Sequence, residues 1–187
     1  MRPFRSGVVF VLVSVVCVGL SYGEPPPSDP KALEAQWQQL TSQYTSLFQA
    51  GEIAKAIATG EQALKVAEQA FGLRDEHVAQ VLNDVGYFYG QQHAWGPAEQ
   101  AHQRALAIRD EVFHAEGPAV VQSLNNLAKL YETQERYAEA KPLFERSLKL
   151  LEHHVGTAHP MFLDTQTHYH HVQEAQARTN AQGGTKP

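Results

Sequence analysis

The sequence predicts an all-α fold, a right-handed solenoid of about three helix pairs closed by a carboxyl-terminal capping helix. Two observations carry this. A residue pattern recurs every 42 positions over most of the 187-residue chain. Within each recurrence apolar residues fall at helical spacing, and no stretch shows the sustained two-residue alternation of a strand. A lone helix pair cannot bury its apolar face, so stacked pairs share a core and curl around a concave side.

The period shows when Gln80-Val81-Leu82-Asn83-Asp84-Val85-Gly86 is laid over Gln122-Ser123-Leu124-Asn125-Asn126-Leu127-Ala128. Without a gap, the same offset sets Tyr89 on Tyr131, Trp95 on Tyr137, Ala98 on Ala140, Arg104 on Arg146 and Pro118 on Pro160. One period earlier a weaker copy sets Leu40 under Leu82, Ile53 under Trp95, Ala56 under Ala98 and Leu64 under Leu106. One period later a half copy begins near Pro160 and covers Leu163 to Ala177.

Taken in order, residues 1–23 read as a secretory signal. Arg2 and Arg5 precede an apolar run from Val8 to Leu20, and Ser21-Tyr22-Gly23 supplies small residues for cleavage. As a helix the run spans about 20 Å at roughly 1.5 Å per residue, short of a bilayer core of about 30 Å. The chain is therefore expected to be exported, to the periplasm or outside the cell, with an amino-terminal membrane anchor as the alternative. Residues 24–31 are proline-rich and expected to be a mobile linker. The repeat domain is expected over 32–177, with units at about 37–78, 79–120 and 121–162 and a capping helix at 163–177. Residues 178–187 are expected to be a mobile tail.

Each unit reads as two helices. In the third, Leu124, Leu127, Ala128 and Tyr131 form one stripe, Thr133-Gln134-Glu135-Arg136 a break, and Tyr137, Ala140, Leu143, Phe144, Leu148 and Leu151 a second stripe. Small residues (Gly86, Ala98, Ala128, Ala140) stand where two helices approach closely. Gly96-Pro97 suits a helix start, and Pro118 and Pro160 punctuate the joints.

This pattern resembles the tetratricopeptide repeat, in the 42-residue form of kinesin light chain-like proteins. The motifs are Leu124-Asn125-Asn126-Leu127-Ala128, Tyr131, Tyr137-Ala138-Glu139-Ala140 and Gly156-Thr157-Ala158-His159-Pro160. The second unit departs with Val85-Gly86 at the core pair and His102 at the Phe144 position. The first departs more, with Gln43-Tyr44 and Gly60 at those places. The resemblance covers about residues 37–175. It implies a protein or peptide partner bound along the concave face, which the first helix of each pair lines. By geometry the candidate contact residues there are Gln80, Asn83, Tyr87, Gln122, Asn125 and Lys129. Asparagine can bracket a peptide backbone because it both donates and accepts; it can equally bridge neighbouring first helices.

Composition limits the alternatives. Fifteen Lys and Arg against twenty Asp and Glu give a net charge of −5, or −7 once residues 1–23 are removed. That argues against a nucleic-acid partner, and after signal removal nothing suggests a membrane. The one cysteine, Cys17, lies in the signal, so disulfides and thiolate zinc sites are excluded. No phosphate loop, nucleophile elbow or catalytic cysteine is present, and no catalytic residue and no cofactor is expected. Asp75-Glu76 and Asp110-Glu111 read as solvent-facing. Ten histidines are the one chemical hint. His168, His170 and His171 could offer imidazoles to a metal, but their spacing matches no zinc-hydrolase signature. The bland reading is a polar face on the capping helix, and no metal is expected. A metal-binding role and self-association through the solenoid ends are the two rival readings.

Overall fold

The computed structural model describes residues 29–183. The expectations for residues 1–23, for most of 24–31 and for 184–187 lie outside the described residues. Seven helices follow one another: α1 (Pro30–Gln49), α2 (Ile53–Phe71), α3 (Glu76–Gln91), α4 (Trp95–Val112), α5 (Pro118–Thr133), α6 (Tyr137–His154) and α7 (Pro160–Gly183). There is no strand among the described residues. The pairs α1/α2, α3/α4 and α5/α6 stack in sequence, and α7 packs on α6 and α5. This is a helix-pair solenoid with a single closing helix.

The pairs begin earlier than the sequence frame of 37, 79 and 121. At α1, α3 and α7 the start is set by the residue just before the helix. Asp29 and Asp75 accept from the amides of Lys31 and His77 at 3.1 and 2.8 Å. His159 Nδ1 accepts from the Met161 amide at 3.2 Å. Each satisfies an amide that the helix start would otherwise leave unpaired. Pro118 and Pro160 are first helical residues, where a missing N–H costs nothing. The closing helix runs from Pro160 through Gly183, longer at each end than 163–177, so residues 178–183 are helical.

The turn inside each pair requires one left-handed residue. Gly51, His93 and Glu135, spaced by 42, have φ of 77°, 57° and 59°. After each, an amide (Glu52, Ala94, Arg136) reaches back to the carbonyl of Leu47, Tyr89 or Tyr131 at 2.9, 3.0 and 2.9 Å. This closes the helix end in the manner of a Schellman turn. Only the first of the three is glycine.

The sequence departures at the core pair are compensations. Tyr44 is 1% exposed and faces Gly60; Phe144 is fully buried and shares its cluster with Ala128. Between them, His102 packs on Gly86, where an added methyl would come within 2.9–3.1 Å of the ring. One large side chain is therefore supplied per pair, from either helix, opposite a small residue; at Gly60 the space is taken chiefly by Val85 of the next pair, whose Cγ2 would lie 2.5 Å from an added Cβ, against 3.9 Å for Tyr44. Interiors packed to crystal density leave room for only one.

Candidate functional site

The first helices α1, α3, α5 and α7 lie side by side along one face. Asn83 and Asn125 hold them together from within. Asn83 Nδ2 donates to Ser123 Oγ and Asn125 Nδ2 to Thr165 Oγ1, both at 2.8 Å. The two asparagines are 3% and 8% exposed. Of the two roles the sequence left open, bridging is the one their positions serve. They adjoin the core leucines Leu82 and Leu124, and that places them against the neighbouring first helix. The remaining candidates divide. Gln80 and Tyr87 are exposed. Gln122 is exposed, and its Oε1 accepts from Arg109 Nη1 at 3.0 Å. Lys129 is half-buried and donates to Asp164 Oδ2 at 2.9 Å.

A cleft of about 370 Å³ opens between α3 and α5. Tyr87, Trp95 and Leu130 form its apolar walls, and Asn126 and Lys129 stand on its α5 side. Gly86 and Gly90 leave it deep: side chains there would fill it, and a Cβ at Gly90 would meet only Leu130, at 3.8 Å. The imidazole of His102, from α4, lines the cleft behind Gly86. Its size is that of a pocket for one bulky group. Tyr87 leans edge-on against Phe48, which stacks on Phe88 at 4.6 Å.

His102 is 3% exposed, and burial pushes its pKa down to about 4. The ring is neutral at pH 7, with Nδ1 donating to Asn83 Oδ1 at 3.1 Å. Among the described residues Nε2 bonds to nothing. Sequence reading passed over His102, taking it as a weak copy of Phe144; the glycine at 86 that makes room for it was the available signal.

A buried polar chain continues from there. Arg109, 3% exposed, donates from Nη1 to Ser123 Oγ and to the Ala119 carbonyl, each at 3.0 Å. Its Nε and Nη2 hold Glu76 at 2.8–3.1 Å. Three of the four acidic residues expected to face solvent are half-buried and engaged with other groups of the structure. Glu76 neutralises Arg109, Asp75 caps α3, and Asp110 takes two bonds from Arg146 at 3.0 and 2.6 Å. Only Glu111, paired with Arg74, lies in the open. A bonding partner some 33–36 residues away is invisible in a local reading. Elsewhere, burial raises the pKa of Asp84, partly offset by the phenol of Tyr44 donating at 2.6 Å.

The carboxyl-terminal histidines converge on one carboxylate. His168 Nδ1 and His171 Nδ1 lie 2.7 and 2.6 Å from the two oxygens of Glu132. His170 is exposed and outside this group. Among the described residues no set of three or more His, Cys, Asp or Glu is arranged to hold a metal ion. No described helix is long and apolar enough to cross a membrane.

The tetratricopeptide repeat family model matches residues 45–111 and, overlapping, 77–153. The crystal structure of BtubC (BKLC) from P. vanneervenii is similar over 88% of this chain and 70% of its own, with a TM-score of 0.70 and 21% identity. Two crystal structures of a Podosopora anserina protein of nearly identical TPR-like repeats, assigned as a kinesin light chain, are similar over 86% of this chain and 74% of theirs, at 18% identity. Their TM-scores are 0.67 for a singly substituted form and 0.66 for the other. At these identities the likeness is one of fold. No curated protein matches the chain.

Proposed function

The chain belongs to the tetratricopeptide repeat family, and on that premise we propose that it is an exported interaction module that binds a segment of a partner protein along the face of its first helices and performs no chemistry. The observation that carries this reading is the cleft between α3 and α5, walled by Tyr87, Trp95 and Leu130. Tyr87 is half-exposed on that face. An aromatic side chain standing in water beside a preformed apolar pocket is a usual element of a binding surface. Export rests on residues 1–23, whose charged start, apolar run and small-residue end support a cleaved signal. The contacts expected for the partner are Tyr87, Lys129 and the exposed glutamines Gln80 and Gln122.

The test is crosslinking co-purification of the chain from its native compartment, beside a Gly90→Leu variant. Leucine at 90 fills the cleft and favours the helix, so the fold is retained. A partner recovered with the native chain and lost with Gly90→Leu supports the reading. A partner retained equally by both overturns the cleft as the contact, and recovery of the chain alone overturns the adaptor role in favour of self-association.

A further inference from the structure

The cleft has a chemical preference that its apolar walls alone do not set. Resting on the reading of the cleft as part of the partner-binding face, we propose that His102 Nε2 is a fixed hydrogen-bond acceptor selecting an uncharged partner side chain that carries an O–H or N–H donor on an apolar body. The geometry runs from the interior outward. Arg109 and Asn83 both donate to Ser123 Oγ, and Asn83 Oδ1 is left to accept from His102 Nδ1. The proton therefore sits on Nδ1, and Nε2 carries a bare lone pair. The ring is held by its bond to Asn83 Oδ1 and packs closely over Gly86, where an added Cβ would come within 2.9–3.1 Å of it.

An acceptor covered without a partner disfavours any occupant that cannot satisfy it. A wholly apolar group would leave Nε2 desolvated and unpaired. A carboxylate would set its own lone pairs against that of Nε2. An ammonium group would meet Lys129 on the cleft wall, whose counter-ion Asp164 is already engaged. The third pair has phenylalanine at this position, so the preference belongs to the second pair alone.

The experiment uses two probes of nearly equal shape, p-cresol and toluene, titrated into the chain labelled with 15N at histidine. The expected result is at least tenfold tighter binding of p-cresol. The His102 Nε2 resonance should be that of an unprotonated nitrogen and should shift on adding p-cresol but not toluene. In His102→Phe the preference should vanish, and in Gly90→Leu both probes should be excluded. Equal affinity of the two probes for the native chain, a protonated Nε2, or a preference surviving in His102→Phe would each overturn the proposal. So would p-cresol binding undiminished in Gly90→Leu, which places the probe elsewhere. Failure here is separable from failure of the binding-face reading: equal probe affinities remove donor selection only, whereas a partner captured unchanged by Gly90→Leu removes the face.

Discussion

The joint between the second and third helix pairs and the joint between the third pair and the closing helix are built from equivalent positions, 42 residues apart, with opposite chemistry. At the first, a chain of hydrogen bonds runs through the interior from His102 to Asn83, Ser123, Arg109 and Glu76. At the second, Phe144 stands for His102 and Leu151 for Arg109, and Pro118 occupies the place of Glu76. Leu151 packs with Val121 and Phe162. What remains of the polar chain is Asn125 bonded to Thr165, and among the described residues Asn125 Oδ1 has no partner where the imidazole is missing. The period thus conserves backbone placement and not the means of adhesion. A polar joint fixes one orientation but is intolerant of partial loss. An apolar joint is tolerant, and here it leaves one acceptor unpaired.

The largest effect should come from cutting the polar joint at its centre. Arg109→Ala removes a buried guanidinium and leaves Glu76, Ser123 and the Ala119 carbonyl without it. Breaking a buried ion pair costs about 3–5 kcal/mol, and the partial exposure of Glu76 puts this case near the lower end. Urea unfolding followed by circular dichroism measures it. Removing both charges, Glu76→Gln with Arg109→Leu, the latter giving position 109 the leucine of the other joint, should restore most of the loss. If Arg109→Leu alone is neutral, the joints do not differ in the way described.

Next in size is Leu151→Ala, at about 2–4 kcal/mol from lost burial and the cavity left behind. Its signature should be local. Hydrogen exchange should rise in α7 first, while α3 and α4 keep their protection, because each unit of a solenoid touches only its neighbours.

Acid should separate the two joints without mutation. The pKa of His102 is lowered from 6.5 to about 4 by burial. Because the folded value lies below the unfolded one, the stability tied to the neutral ring is complete above pH 6.5. It is lost as pH falls from 6.5 toward 4. By linkage the loss is about 2 kcal/mol at pH 5. His102→Phe should therefore be less stable than the native chain at pH 7.5, by about 1 kcal/mol for the unpaired Asn83 Oδ1, and more stable at pH 5. Melting curves at the two pH values check the crossing; parallel curves would place the acid sensitivity elsewhere.

Much of this comparison was legible and part was not. The 42-residue offset gives the number and order of the helix pairs, though not their first residues, because apolar spacing and the paired prolines at 118 and 160 are local signals. The substitutions at 44, 60, 86 and 102 looked like decay of the pattern. Gly86 with His102 is an exchange across a helix pair, visible only when residues 16 apart are read together, and Gly60 makes room chiefly for Val85 of the next pair. Asn83 and Asn125 were legible as polar positions beside core leucines, but a position beside the core stripe can face either the groove or the next helix. What decides is a hydroxyl 40 residues on, at Ser123 and Thr165. The coupling of Glu76 with Arg109, against Pro118 with Leu151, stands in the sequence as a paired change, but local spacing does not announce a contact at a separation of 33.

The smallest predicted effect concerns how the apolar joint acquires direction. Leu151, Val121 and Phe162 would hold the closing helix in several rotations about equally well, since apolar contact is non-directional. The ring of polar contacts around them is not: Lys129 to Asp164, Asn125 to Thr165, and the Glu132 carboxylate between His168 and His171. Glu132→Ala removes two of these bonds at the carboxyl-terminal end of α5, where its side chain is 12% exposed. A net cost of about 1 kcal/mol follows from typical hydrogen-bond contributions. That is less than the cost of Leu151→Ala, yet the consequence should be more specific. The Phe144 ring, stacked at 5.8 Å on His168, should lose its fixed neighbour, so aromatic resonances of Phe144 and His168 should broaden while α7 stays helical and docked. Should Glu132→Ala instead detach α7 as fully as Leu151→Ala, the polar ring supplies adhesion rather than orientation, and the contrast between the two joints narrows to the buried arginine alone.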